Sequence, residues 1–205
     1  QDVLIYGHVG GTIWHRSCAP VARLLRALHD LAPPSGPLLP KRANGSAALA
    51  AQTATIVDLC PPDTARPMRA LLRDLAGREA VPPTPAEKFL HGDPVAGNVI
   101  CGADGLRLID WQCPAVGDPC DDLAPFLSPA MQHIYRGAAL TRAEAQEFLA
   151  AYGRADIADR AQALAPWYHA RTAAYCLWQS ARGAADYEAG FALECGALRS
   201  AIAAR

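Results

Sequence analysis

Apolar positions along this chain follow two rhythms, one helical and one confined to runs too short for a helix. Over residues 17–31, Val21, Leu24, Leu25, Leu28 and Leu31 recur three and four apart, which predicts a helix with Ser17 as N-cap. Pro33, Pro34 and Pro37 then break the chain into a loop. Further helices are predicted over residues 46–59 and 64–75, separated by Pro61-Pro62-Asp63, with Pro82, Pro83 and Pro85 as a second rigid connector. Residues 3–6, 89–90, 99–101 and 106–109 read as short strands, and Ala103-Asp104-Gly105 as a hairpin turn between the last two. Beyond a Gly/Pro/Asp loop after Asp110 the sequence turns helical almost to its end. Thr141 and Glu144 form a capping box for a helix reaching Tyr152, and residues 156–182 form a long one. On that long helix Leu164, Trp167, Tyr168, Tyr175 and Trp178 share a broad face, which reads as core. The expected fold is therefore mainly α with small β hairpins (α+β).

Composition narrows the partners. With 205 residues the chain is long enough to bury a real core, and its Ala- and Arg-rich, aromatic-poor makeup favours helix over sheet. A net charge of −1 and the lack of any Lys/Arg block argue against nucleic acid. No apolar run approaches the ~18–20 residues of a membrane span, and the first residues lack the basic and long apolar regions of a signal peptide. The seven cysteines are scattered, with no C-x-x-C pair. That pattern favours reduced, mostly buried thiols in a cytoplasmic protein over a zinc site.

The candidate chemistry lies among the short strands. His91-Gly92-Asp93 is followed by four residues and then Asn98, and the next apolar run ends in Asp110-Trp111. Taken singly, Asp93 before Pro94 and Asn98 read as turn residues. Jointly they match the phosphoryl-transfer template, in which H-R-D-x-x-x-x-N precedes a metal-binding Asp. Asp93 can accept or orient a hydroxyl proton, while Asn98 and Asp110 offer the hard oxygen ligands that Mg²⁺ takes alongside nucleotide phosphates. His91 reads as a structural residue that fixes the loop through its backbone, and Gly92 and Gly97 permit tight geometry.

These residues resemble the aminoglycoside phosphotransferase and choline kinase-like family, whose fold is related to protein kinases. The family's HGDxxxxN stands here as His91-Gly92-Asp93 to Asn98, its IDW as Ile109-Asp110-Trp111, and its GDPxxDLA as residues 117–124. Residues 4–11 are similar to the hinge strand between the two lobes, and Leu24-Leu25 to His29 to the first helix of the C-terminal lobe. The resemblance implies ATP (or another NTP) and Mg²⁺ as cofactors and a small-molecule hydroxyl as acceptor. It makes Asp93 the catalytic base, Asn98 and Asp110 the metal ligands, and the backbone of Gly7, His8 and Val9 the nucleotide contact. Asp118 and Asp122 could attract a cationic substrate, but capping and loop bracing are the stronger reading, as support for the site with His91.

The same resemblance sets the expected domains: residues 1–11 a hinge strand and linker, residues 12–205 a helical, protein-kinase-like C-terminal lobe carrying catalytic loop 91–98 and metal-binding segment 108–112. The family's N-terminal lobe, with its strand Lys and Gly-rich loop, is expected to be absent. The only lysines, Lys41 and Lys88, both follow the hinge segment. Weak or no transfer by this chain alone follows, unless a partner supplies that lobe. The alternative is a non-catalytic, kinase-like binding or scaffolding module; a metal-dependent hydrolase explains less, because it accounts for neither hinge nor spacing. Acceptor contacts are expected from Trp111, Gln112, Tyr168, His169, Arg171, Tyr175 and Trp178, each of which also reads as core packing.

Overall fold

A computed structural model of the chain describes residues 7–33 and 39–203. In chain order these form strand β1 (Thr12–Ile13), helices α1 (Cys18–His29), α2 (Ser46–Asp58) and α3 (Pro62–Ala76), then strands β2 (Lys88–Leu90), β3 (Val99–Gly102), β4 (Gly105–Leu108) and β5 (Ala115–Gly117). Helices α4 (Cys120–Leu127), α5 (Pro129–Arg136), α6 (Arg142–Tyr152), α7 (Ala155–Ala181) and α8 (Asp186–Ala203) complete it. The fold is mainly helical with small sheets. Among the described residues no helix is long and apolar enough to cross a membrane.

Helix α7 is the hub, packed by α2, α3, α4, α6 and α8. Its buried residues, Ala161, Leu164, Trp167, Ala170, Ala173, Ala174 and Leu177 among them, lie on several faces, as expected of a helix covered nearly all round. Alanines on these faces let neighbouring backbones approach, while Leu164 and Trp167 fill the spaces between. On the opposite side α1 turns Val21, Ala22, Leu25 and Leu28 inward and packs on α6. The α6 capping box forms in full: Glu144 N–H donates to Thr141 Oγ1 at 3.2 Å, and Thr141 N–H to Glu144 Oε2 at 2.7 Å.

The helix boundaries fall close to those expected, with one difference in chemistry. Ser17 sits at φ 59° and its side chain makes no capping bond, so α1 starts without the expected N-cap. The Trp14 indole N–H donates instead to the Ser17 carbonyl at 3.2 Å, tying the entry segment to the helix. The strand expected over residues 3–6 lies outside the described residues. Residues 7–10 form no regular element, and pairing begins at Thr12.

The two sheets are small and antiparallel. In one the order is β1-β3-β4, with Val99 opposite Leu108 and Gly102 opposite Gly105 across the two-residue turn Ala103-Asp104. Gly11 lets β1 reach β3: its φ is +144°, and a Cβ there would stand 2.4 Å from the Cys101 carbonyl oxygen. The other sheet pairs β2 with β5, Phe89 opposite Val116. Strand β5 lies in what the sequence offered only as a loop. Its three residues carry too little pattern to be read, and it exists because β2 gives it a partner. The pairing sets the loops after β2 and before β5 side by side.

Candidate active site

The loop after β2 is held from below by a buried carboxylate. Asp122, in the first turn of α4, accepts the backbone N–H of His91 and of Gly92, both at 2.8 Å. Its Oδ2 also accepts from His29 Nε2 at 3.1 Å, and the other ring nitrogen of His29 meets the Tyr152 hydroxyl at 2.8 Å. Asp122, His29 and His91 are all buried to within 1% of full exclusion from solvent, so α1, α4 and α6 meet the loop through one dry network. Its donors and acceptors match, as burial demands.

Above that anchor, His91 uses both ring nitrogens on backbone. Nε2 lies 2.9 Å from the Ile109 carbonyl, which can only accept, so Nε2 carries the proton. Nδ1 is then free to accept the Asp93 N–H at 3.3 Å. The ring thus ties the loop carrying Asp93 to the segment carrying Asp110, and the Trp111 ring covers its edge at 4.4 Å. Gly92 closes the turn at φ +86°, where a Cβ would stand 2.0 Å from the Cys113 carbonyl oxygen. Arg42 bridges the same crossing, donating from Nη2 to the Gly92 and Cys113 carbonyls at 3.1 Å each.

Asp93, Asn98 and Asp110 come together at one end of the β3–β4 hairpin. Asn98 directly precedes β3, and Ile109 N–H donates to its carbonyl at 3.0 Å, which sets Asp110 beside it. Asp110 has φ +63°, a left-handed conformation that Asp tolerates better than most residues. The Asn98 amide donates to the Asp93 carbonyl at 2.9 Å and to Asp93 Oδ2 at 3.3 Å. Partial burial pushes the Asp93 carboxyl above the usual carboxylate range, and the nearby Asp110 charge adds to this. The His91 ring opposes it first, then Arg42 and the Asn98 amide.

The donor set fits a hard cation. With Asn98 Nδ2 committed to Asp93, its Oδ1 receives no protein donor among the described residues, and neither does the Asp110 carboxylate. No group of three or more His, Cys, Asp or Glu able to hold a metal occurs among the described residues. Mg²⁺ does not need one, because it is commonly held by one or two protein oxygens with phosphate and water completing the shell.

Asp93 also faces a solvent-open cleft of about 290 Å³, whose walls include Arg42, Gln52, Tyr135, Arg171 and Tyr175. Of the acceptor candidates read from sequence, Arg171 and Tyr175 line this cleft and the others do not. Tyr168 is buried, His169 pairs with the buried Glu194 at 2.6 Å, and Trp178 packs on Tyr175 under Arg182. Trp111 stacks on Phe89 and Gln112 is exposed. Asp118 accepts from Arg160 Nε at 2.7 Å and from Cys120 N–H at 3.0 Å, bracing the start of α4. Both Asp118 and Asp122 are fully buried and committed, so neither is available to a cationic substrate. Gly7 and His8 are exposed and Val9 is half-buried, in a segment with no regular structure.

Sequence reasoning missed Arg42, Gln52 and Tyr135, which lie far along the chain from the motif and carry no local signal. It also gave no role to Asp121, a buried carboxylate that takes Arg171 Nη1 at 2.6 Å and lies 3.8 Å from Arg42 Nε.

A helical unit that presents a braced Asp/Asn loop and a hairpin-borne Asp beside an open cleft has the architecture of the kinase-like phosphotransferases. The family model described as "Phosphotransferase enzyme family" (APH) matches residues 3–189, and the chain belongs to that family. Among solved structures it is similar to a choline/ethanolamine kinase family protein from Mesorhizobium loti, with 18% identity over 91% of this chain and 65% of the other, at a TM-score of 0.56. The choline kinase LicA from Streptococcus pneumoniae matches with 18% identity over 92% of this chain and 64% of its own, at a TM-score of 0.54. An AMP-bound spectinomycin phosphotransferase, APH(9)-Ia, matches with 16% identity over 92% and 66%, at a TM-score of 0.56. At these identities the likeness is one of fold. The chain spans just under two thirds of the length of these structures. No curated protein matches it in sequence.

Proposed function

We propose that the site serves ATP-dependent phosphoryl transfer to a hydroxyl of a small molecule, with Asp93 receiving the hydroxyl proton. The observation that carries this reading is the division of labour at the hairpin end. Asn98 and Asp110 keep oxygens without protein donors, whereas Asp93 is oriented by the Asn98 amide and opens onto the cleft. Asn98 and Asp110 would hold Mg²⁺, which when bound neutralises charge on the nucleotide phosphates. Asp93, deprotonated, aligns the acceptor hydroxyl and takes its proton as the hydroxyl oxygen bonds the γ-phosphorus and the bond from that phosphorus to the bridging oxygen breaks, releasing ADP. His91 and Asp122 do not touch substrate; they hold the loop that aims Asp93. Residues 7–9 are read as the nucleotide-contacting hinge, by family resemblance and by their place ahead of β1.

The test is phosphate transfer from ATP to a panel of hydroxylated metabolites, followed acceptor by acceptor, with the family's N-terminal lobe supplied upstream of this chain, since the chain alone is expected to transfer weakly or not at all. Asp93→Ala should lower kcat by about a hundredfold or more, the usual size of a general-base contribution, while leaving Mg²⁺-nucleotide binding intact. Transfer at the unaltered rate in Asp93→Ala would rule out the assigned base.

A further inference from the structure

The charges around the cleft say what kind of acceptor it can take. Its wall includes two guanidinium groups, Arg42 and Arg171, and the carboxylate of Asp93. Behind the two arginines stands one buried carboxylate, Asp121, 2.6 Å from Arg171 and 3.8 Å from Arg42. One negative charge between two positive ones leaves this side of the cleft with a unit of positive charge. Asp93 lies at the hairpin end of the cleft beside Asp110 and carries the opposite charge, so the positive character is local to the two guanidinium groups.

The guanidinium of Arg171 is also pre-positioned. Its plane lies over the Tyr168 ring, 4.9 Å from the centroid, and its Nη1 is shared by Asp121 and Gln52 Oε1. Its Nε and Nη2 make no hydrogen bond among the described residues, so part of the fork remains for another acceptor. A fixed, partly unpaired guanidinium is suited to a carboxylate or phosphate, and it repels an ammonium group. Tyr135 and Tyr175 add flat carbon surface to the wall.

Resting on the phosphotransferase reading above, we infer that the acceptor is a hydroxylated molecule bearing an anionic group held by Arg171 and Arg42. An ammonium group is the wrong charge for that position.

The experiment is an NMR titration of the folded chain, without nucleotide, against D-gluconate, its uncharged counterpart D-glucitol, choline and streptomycin. Gluconate should bind about tenfold or more tightly than glucitol, the size of one charge-assisted hydrogen bond, and weaken with added salt. Choline and streptomycin should not displace bound gluconate by competing for Arg171. Gln52→Glu keeps an oxygen for Arg171 and supplies the missing negative charge. It should weaken gluconate about tenfold and strengthen streptomycin. Arg171→Gln should weaken gluconate further, and because it also strips a partner from buried Asp121, Gln52→Glu decides if that variant does not fold. The inference is overturned by glucitol binding as tightly as gluconate, by gluconate affinity unchanged in Gln52→Glu, or by no gluconate binding to the folded chain. Because no nucleotide is present, these results are independent of phosphoryl transfer. Failure of the phosphotransferase reading would appear instead as no Asp93-dependent transfer to any acceptor when the N-terminal lobe is supplied.

Discussion

Removing the Asp122 carboxylate should loosen the candidate catalytic loop while leaving every group assigned to chemistry in place. The side chain is fully buried and accepts three hydrogen bonds, from His91 N–H, Gly92 N–H and His29 Nε2. In Asp122→Ala all three donors lose their partner at a site closed to solvent. Each such orphan costs about 1–3 kcal/mol, and since the three share one acceptor their losses do not simply add. A net loss of about 3–5 kcal/mol is expected, a large share of the ~5–15 kcal/mol that holds a domain folded. For a chain of this length the melting midpoint should fall by about 6–20 °C. Asp122→Asn retains one acceptor oxygen but turns an N–H towards the remaining donors, so it should lie between wild type and alanine. Chemical denaturation gives the stability, and amide hydrogen exchange gives the location: protection at His91 and Gly92 should collapse, while that of α7 should fall only with global stability. A midpoint within ~2 °C of wild type, with His91 and Gly92 still protected, would refute the claim that Asp122 anchors the loop.

Two further predictions concern local geometry and pH. Gly92→Ala forces a Cβ to within 2.0 Å of the Cys113 carbonyl at φ +86°. It should cost about 2–4 kcal/mol in a denaturant melt, and a change under ~0.5 kcal/mol would mean the crossing of the two loops is slack. Glu144 is held down to about 2 from an ordinary 4.5, first by its hydrogen bond from Arg136 and then by the Thr141 backbone N–H. A depressed carboxyl stabilises the fold fully above about 4.5, and that contribution is lost as pH falls towards 2. Because the Glu144 side chain is 33% exposed, solvent limits the effect: Glu144→Gln should cost about 1 kcal/mol at neutral pH. The deficit should shrink as the solution is acidified through that window, and a deficit independent of pH would contradict the assignment.

Much of the architecture was legible because it rests on local pattern. Val21, Leu25 and Leu28 at helical spacing, the Thr141/Glu144 box and the Ala103-Asp104 turn each specify their element within a few residues. Strand β5 was not legible, since three residues between proline-rich loops become a strand only by pairing with β2. The Ser17 cap failed for a different reason: the backbone there sits at φ 59°, outside the extended conformation an N-cap side chain needs.

The site divides along the same line. The sequence by itself determined the candidate set, because Asp93, Asn98 and Asp110 lie on one loop and one hairpin whose register brings them together over a short span. Only the tertiary structure decided what surrounds them. Asp122 reaches back some thirty residues to hold the loop, and Arg42 and Arg171 meet over Asp121 from different elements. Proximity of that kind is set by how α1, α2, α4 and α7 pack, and packing distances leave no period in the sequence. The motif therefore points to phosphoryl transfer, whereas the charged groups that line the cleft meet only once the helices are assembled.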